Sequence, residues 1–208
     1  MISEKETIRL DKMLEYERDL YNKGYKLICG IDEAGRGPLC GPVVAAAVIL
    51  KKDDHIEGVN DSKKLSEKKR EILFEEIKKR ALAYSVGIVD EKVIDDINIL
   101  EATRLAMKKA VEGLSVKPDY ALVDAEKHVP IDVPYTPIIK GDSLSESIAA
   151  ASIIAKVTRD HMIIEMDKKY PEYNFKKHKG YGTKEHIEAI KKYGLCDIHR
   201  RSFCKKFV

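Results

Sequence analysis

Leu27 to Leu50 reads LICGIDEAGRGPLCGPVVAAAVIL. A short apolar run, Leu27 to Asp32, stops on the acid pair Asp32-Glu33. A stretch rich in Gly and Pro then leads into a second apolar run, Val43 to Leu50. Short apolar runs bounded by turn residues are expected to be strands. The second is apolar on both faces, which predicts a central place in a sheet. Further strands are expected over Ala81–Val89, over Tyr120–Val123 ending at Asp124, and over Tyr135–Ile139. Helical spacing predicts helices over 3–23, Ser66–Arg80 and 96–114. Ser143-x-x-Glu146 has the pattern of a capping box and would open a long buried helix reaching about Lys169. Thr183 would cap a last helix ending before Gly194. Three strands come first, and helices and strands then alternate. That order predicts an α/β domain with a mixed sheet and helices on both faces.

The chain has 208 residues, 44% apolar and 35% charged. It is too apolar for a disordered chain and long enough for one domain. The net charge is only +3, which excludes a histone-like polycation. The charge is uneven, however. Tyr170 to Val208 holds ten Lys/Arg against four Asp/Glu, so residues 1–169 carry −3. An acidic body with a basic end suits a protein that holds metal ions and meets phosphates. Cys29, Cys40, Cys196 and Cys204 form no C-x-x-C pair, so packing or surface thiols are expected rather than zinc ligands. The N-terminus lacks an apolar signal core. The longest apolar run, Pro42 to Leu50, is far too short to span a membrane. A cytoplasmic protein with reduced thiols is expected, and with no heptad or other assembly signal, a monomer.

Four acids stand where an apolar element stops. Asp32 and Glu33 close the first strand, Asp124 closes the fourth, and Asp142 lies between the fifth strand and the long helix. Any one of them alone reads as a turn former or helix cap, and Asp61, Asp90, Asp95 and Asp96 are left in that role. Gathered at one sheet rim, they would repel each other unless cations sat between them. Oxygen-only ligands favour Mg²⁺ or Mn²⁺. Two such ions suit hydrolysis of a phosphodiester. The segment Gly35-Arg36-Gly37 is no dinucleotide fingerprint. The next glycine is Gly41, Pro38 intervenes, and a strand follows instead of a helix. It reads either as a plain hairpin or as a turn that lets backbone groups approach a ligand closely.

Asp32-Glu33-Ala34-Gly35-Arg36-Gly37-Pro38 resembles the signature of ribonuclease HII, the type 2 ribonuclease H. Asn60 to Leu65, Val123-Asp124-Ala125, Lys140 to Ser143, Ser147 to Asp160 and His178 to Thr183 extend the likeness in order, from about residue 25 to 205. The resemblance implies a ribonuclease H-like fold: a five-stranded mixed sheet flanked by helices, with a C-terminal helical region. The matched part predicts a catalytic domain over 25–208, and the N-terminal helix outside it is expected to be a leader, 1–24. The resemblance also implies an endonuclease that cuts the RNA strand of RNA–DNA hybrids, including 5′ of a lone ribonucleotide in duplex DNA. Asp32, Glu33, Asp124 and Asp142 take the family's catalytic and metal-binding places, with Asp32 bridging two Mn²⁺ or Mg²⁺ ions. The products would carry 5′-phosphate and 3′-hydroxyl ends. The Gly35-Arg36-Gly37 backbone would read the ribose 2′-hydroxyl, the group that separates RNA from DNA. Tyr181 would pack against the neighbouring sugar.

Lys63 and Lys64 are expected to meet substrate. Lys176, Lys177, Lys179, Lys184, Arg200 and Arg201 are expected to make phosphate contacts that position a duplex. His178, His186 and His199 are expected to be exposed or on phosphate. Two other readings stay open. The sister type 3 enzyme typically lacks the Gly-Arg-Gly turn and carries an N-terminal domain for which a leader of about 25 residues is too short. A non-catalytic hybrid-binding module would keep four acids at a cost in phosphate affinity.

Overall fold

The computed structural model describes residues 3–208. Ser3 caps a first helix, α1 (Glu4–Met13), and α2 (Glu15–Asn22) follows. The single helix expected over 3–23 is thus broken at Leu14. The break serves two cores: Leu10 and Met13 pack under one part of the sheet, and Leu20 packs with Ile28 and Leu122. The strand β1 (Ile28–Ala34) runs two residues past the expected end, because its pairing with β2 (Val43–Ile49) continues to Ala34 opposite Val44. Asp32 and Glu33 therefore lie within the strand. A 3-10 turn (Ser62–Lys64) precedes α3 (Glu67–Arg80), which Ser66 caps.

β3 (Ala83–Val89) leads to α4 (Glu91–Glu112), which starts five residues earlier than expected. Asp90 caps its start. Asn98, at φ 68°, interrupts it and accepts from the Leu100 and Glu101 amides, so the expected helix matches its second half. β4 (Tyr120–Asp124) and β5 (Tyr135–Ile138) follow. α5 (Glu146–Lys169) is capped by Ser145, not by Ser143. Ser143 sits in a 3-10 turn (Gly141–Ser143), and Glu146 turns away to accept from the Ile56 amide, so the expected capping box does not form. Beyond lie α6 (Phe175–His178), α7 (Lys184–Tyr193), capped by Thr183, and a further short helix, α8 (Arg201–Cys204).

The sheet has five strands in the order β3-β2-β1-β4-β5. β2 lies inside the sheet between β3 and β1, as its two-sided apolar run predicts, and β1 is the middle strand. It is antiparallel to β2 and parallel to β4. The period-two alternation sorts the two faces. Cys29, Ile31, Ala45, Ala47 and Val123 face α4; Ala46 and Val48 face α3 and α5. Gly30 lies on the α5 side, where a Cβ would stand 2.1 Å from the Ser147 carbonyl carbon, so β1 and α5 touch backbone to backbone. A third cluster seats the C-terminal region on the loop after β1. Leu39 and Cys40 pack with Phe175, Ile190 and Cys204, and residue 40 bridges to residue 199.

Candidate active site

Because β1 and β4 are parallel, with Ile31 paired to Val123, the next residue of each strand, Asp32 and Asp124, emerges at the same end of the sheet. The turn before α5 brings Asp142 to them. Its Gly141 amide donates to Asp124 Oδ1 at 2.7 Å and ties the turn to the strand. One carboxylate oxygen from each of Asp32, Asp124 and Asp142 lies within 4.8 Å of the others. Glu33, next along β1, pairs with Arg36 at 3.5 Å and stands beside this triad. Asp61 caps the Ser62–Lys64 turn, as expected, yet its charge also bears on Asp142.

Burial raises the Asp32 carboxyl well above the ordinary range, and the charges of Glu33, Asp124 and Asp142 add to it. Burial also raises Glu33, against the pull of Arg36, and raises Asp124 and Asp142, the latter with help from Asp61. Lys63 Nζ lies 4.0 Å from Asp142 Oδ2. Burial works to lower the Lys63 ammonium, but four surrounding carboxylates leave it raised. Crowded, desolvated carboxylates answered only by Lys63 and, at Glu33, by Arg36 make an incomplete charge balance. An all-oxygen donor set of this kind fits a hard divalent cation.

The remaining candidates fall around this centre. One cleft takes in Asp32, Glu33, Gly35 to Gly37, Lys63, Lys156 and Tyr181. Gly35 has φ +100°, and a Cβ there would stand 2.2 Å from Arg159 Nε, so only glycine fits. Tyr181 is 44% exposed, and its ring carbon Cε1 lies near Gly37. Lys64 Nζ donates to Ser143 Oγ at 2.9 Å, on the same rim.

Several expectations about the basic end are overturned. Arg200 is fully buried, and His178, His186 and His199 are buried with it. None of these four is free to meet phosphate. His186 and His199 form a neutral pair behind Tyr181. His186 Nδ1–H donates to the Tyr181 carbonyl (3.0 Å), which leaves its Nε2 to accept from His199 Nε2–H (3.1 Å). His199 Nδ1 in turn accepts from the Cys196 amide at 3.0 Å. Burial pushes both His186 and His199 down to about 4. Lys179 is mostly covered and points to Glu67, whereas Lys176, Lys177, Lys184 and Arg201 are exposed. The sequence reading also missed Arg159, whose only signal was an arginine in an apolar helix, and Glu17. The Glu17 carboxylate accepts from Ser145 and Ser147 at the start of α5.

The family model described as Ribonuclease HII matches residues 29–206. The chain is 62% identical over 205 residues to a ribonuclease HII of Acetivibrio thermocellus, covering 99% of this chain and 80% of that protein. Among solved structures it resembles the ribonuclease H2 of Pyrococcus horikoshii. The TM-score is 0.74 and the identity 31%, over 86% of this chain and 96% of that one. It also resembles the enzyme in a PCNA:RNase HII complex from Archaeoglobus fulgidus, with a TM-score of 0.72 and 30% identity, over 85% and 93%. Among the described residues no helix is long and apolar enough to cross a membrane.

Proposed function

The chain belongs to the ribonuclease HII family, and on that premise we propose that it hydrolyses the RNA strand of RNA–DNA hybrids and also cuts 5′ of a single ribonucleotide embedded in duplex DNA. The observation that carries this reading is the convergence of Asp32, Asp124 and Asp142 beside the Gly35–Gly37 turn. Asp32, deepest of the acids, would hold Mn²⁺ or Mg²⁺, two ions on this reading, together with Asp124, Asp142 and Glu33. Bound there, the ions would supply Lewis-acid activation of water and stabilise the leaving 3′-oxygen.

The protein's own groups do the rest. The Gly35-Arg36-Gly37 backbone, with no bulky side chain at either glycine, reads the 2′-hydroxyl of the sugar at the cut. Tyr181 covers the adjoining sugar. Lys63 and Lys64 hold phosphate on the rim of the acids and offset their charge. The 2′-hydroxyl serves recognition and is not the nucleophile, so no imidazole base is required. The buried, neutral His186 and His199 agree with that. Cleavage then leaves 5′-phosphate and 3′-hydroxyl ends.

The test is a DNA duplex with one internal ribonucleotide, incubated with protein and Mn²⁺ or Mg²⁺. Cutting 5′ of the ribonucleotide is expected. Cutting only within longer RNA tracts would instead indicate type 3 behaviour, and no cutting of either substrate would indicate a binding module.

A further inference from the structure

The Gly35–Gly37 turn has a cation at its back. Arg200 Nη2 donates to the Gly35 carbonyl (2.6 Å), Nη1 to those of Arg36 (3.0 Å) and Pro38 (2.9 Å), and Nε to that of Gly41 (2.9 Å). Arg159 braces the same loop from α5, donating to the carbonyls of Pro42, Cys40 and Lys179. Both guanidiniums are buried, and among the described residues every hydrogen-bond acceptor they have is a main-chain carbonyl. Enclosing a guanidinium without a carboxylate partner is costly, and for Arg200 four main-chain carbonyls offset part of that cost. What the planar fork supplies is orientation: five donors in fixed directions lock several carbonyls at once.

The consequence follows from peptide geometry. In a trans peptide the carbonyl of one residue and the N–H of the next point in opposite directions. No peptide bond in the described residues is cis. With the Gly35 and Arg36 carbonyls fixed on Arg200, the Arg36 and Gly37 amides are turned away from it, and both residues line the cleft that holds Asp32. We propose that Arg200 is a positioning residue for sugar discrimination: without touching nucleic acid, it holds the Arg36 and Gly37 N–H groups toward the substrate's 2′-hydroxyl. This rests on the turn reading that hydroxyl, as argued above.

The test is equilibrium binding by fluorescence anisotropy, in an Asp124→Asn background that prevents cleavage. Two duplexes are compared, one all-deoxy and one with a single internal ribonucleotide. The background protein is expected to prefer the ribonucleotide duplex. Arg200→Lys, which cannot span the four carbonyls, should shrink that preference by about tenfold, the worth of one or two neutral hydrogen bonds, while the all-deoxy affinity stays within about twofold. Arg200→Met, neutral and of similar length, is the second variant should the lysine ammonium prevent folding, and the same loss is expected. Met107→Ala, in the core on the α4 face, controls for destabilisation and should keep the preference. An undiminished preference in a folded Arg200 variant overturns the proposal. So does a parallel fall in both affinities, which would mark a purely structural role. If the background protein itself shows no preference, the turn's reading of the 2′-hydroxyl fails, and the role of Arg200 with it.

Discussion

One methyl group added at position 30 should push apart the two elements that carry the acids. A Cβ on Gly30 would stand 2.1 Å from the Ser147 carbonyl carbon, 2.3 Å from its oxygen and 2.4 Å from the Ile148 nitrogen, whereas real Cβ contacts stay beyond 3.0 Å. All three obstacles are backbone atoms, so no rotamer change relieves them. β1 and α5 must separate by about 0.9 Å or more. Overpacking typically costs about 1–3 kcal/mol, and a clash with rigid backbone belongs at the upper end. With a urea slope of roughly 2 kcal/mol per molar, the unfolding midpoint of Gly30→Ala should drop by about 1.5 M. The same displacement separates Asp32, on β1, from Asp142, on the turn that feeds α5. A misplacement near 1 Å costs roughly 100-fold in rate. Gly37→Ala is the matched contrast. Its Cβ would meet only the Tyr181 ring carbon Cε1 at 3.6 Å, an ordinary contact, and its backbone is not left-handed. That variant should unfold within about 0.5 kcal/mol of the parent yet bind the ribonucleotide duplex more weakly. Urea unfolding followed by circular dichroism, with single-turnover cleavage alongside, reads both effects. A Gly30→Ala protein with the parent's midpoint and rate would refute the contact between β1 and α5 as described.

Asp32→Asn should abolish cleavage and, in chelator at pH 7, raise the thermal midpoint above the parent's. The Asp32 carboxyl is raised in the folded state, so its repulsion is felt in full above its folded pKa and fades as pH falls toward the unfolded value. The parent's disadvantage should therefore shrink on acidification, and Mn²⁺ should stabilise the parent far more than the variant. A parent that is the more stable of the two in chelator would contradict this. Cleavage should weaken steeply with salt, and Lys63→Ala should lower the slope of log affinity against log salt by about 0.9 if it meets one phosphate. A flat salt profile would remove the duplex from this surface. Tyr181→Ala should lose about tenfold in kcat/KM on the single-ribonucleotide duplex while Tyr181→Phe keeps most of it, since the ring's face and not its hydroxyl is what packs; equal losses would assign the role to the hydroxyl.

Much of the centre was legible because it obeys a local rule. An apolar run that stops on an acid marks where a strand reaches the sheet rim, and both Asp32 and Asp124 announce themselves this way, although β1 itself continues to Ala34. Asp142 has no such signal beyond its place before a helix. The mixed sheet came from the alternation of elements and the family likeness, and the inner place of β2 from its two-sided apolar run, but the order of the strands depends on pairing that no local pattern encodes. The errors share one cause: tertiary partners outvoted local chemistry. Ser143 and Ser145 are both competent caps, and the choice fell to Ser145, whose hydroxyl also reaches the buried Glu17. Arg200 and Arg201 are adjacent and alike in sequence, yet one is enclosed by four carbonyls and the other faces water. The histidines read as solvent-facing because nothing in their spacing tells of the aromatic cluster formed by Tyr173 and Phe175 around them.

The parallel pairing of β1 with β4 makes one dimension of the carboxylate cluster a property of the backbone. Adjacent strands sit about 4.8 Å apart wherever they are hydrogen-bonded, so the separation of Asp32 and Asp124 is as fixed as the pleat itself. Asp142 hangs from a three-residue turn, moored by the Gly141 amide to Asp124. Two walls of the cluster are thus set by the sheet, and the third is set by the turn over residues 141–143 and its tie to Asp124.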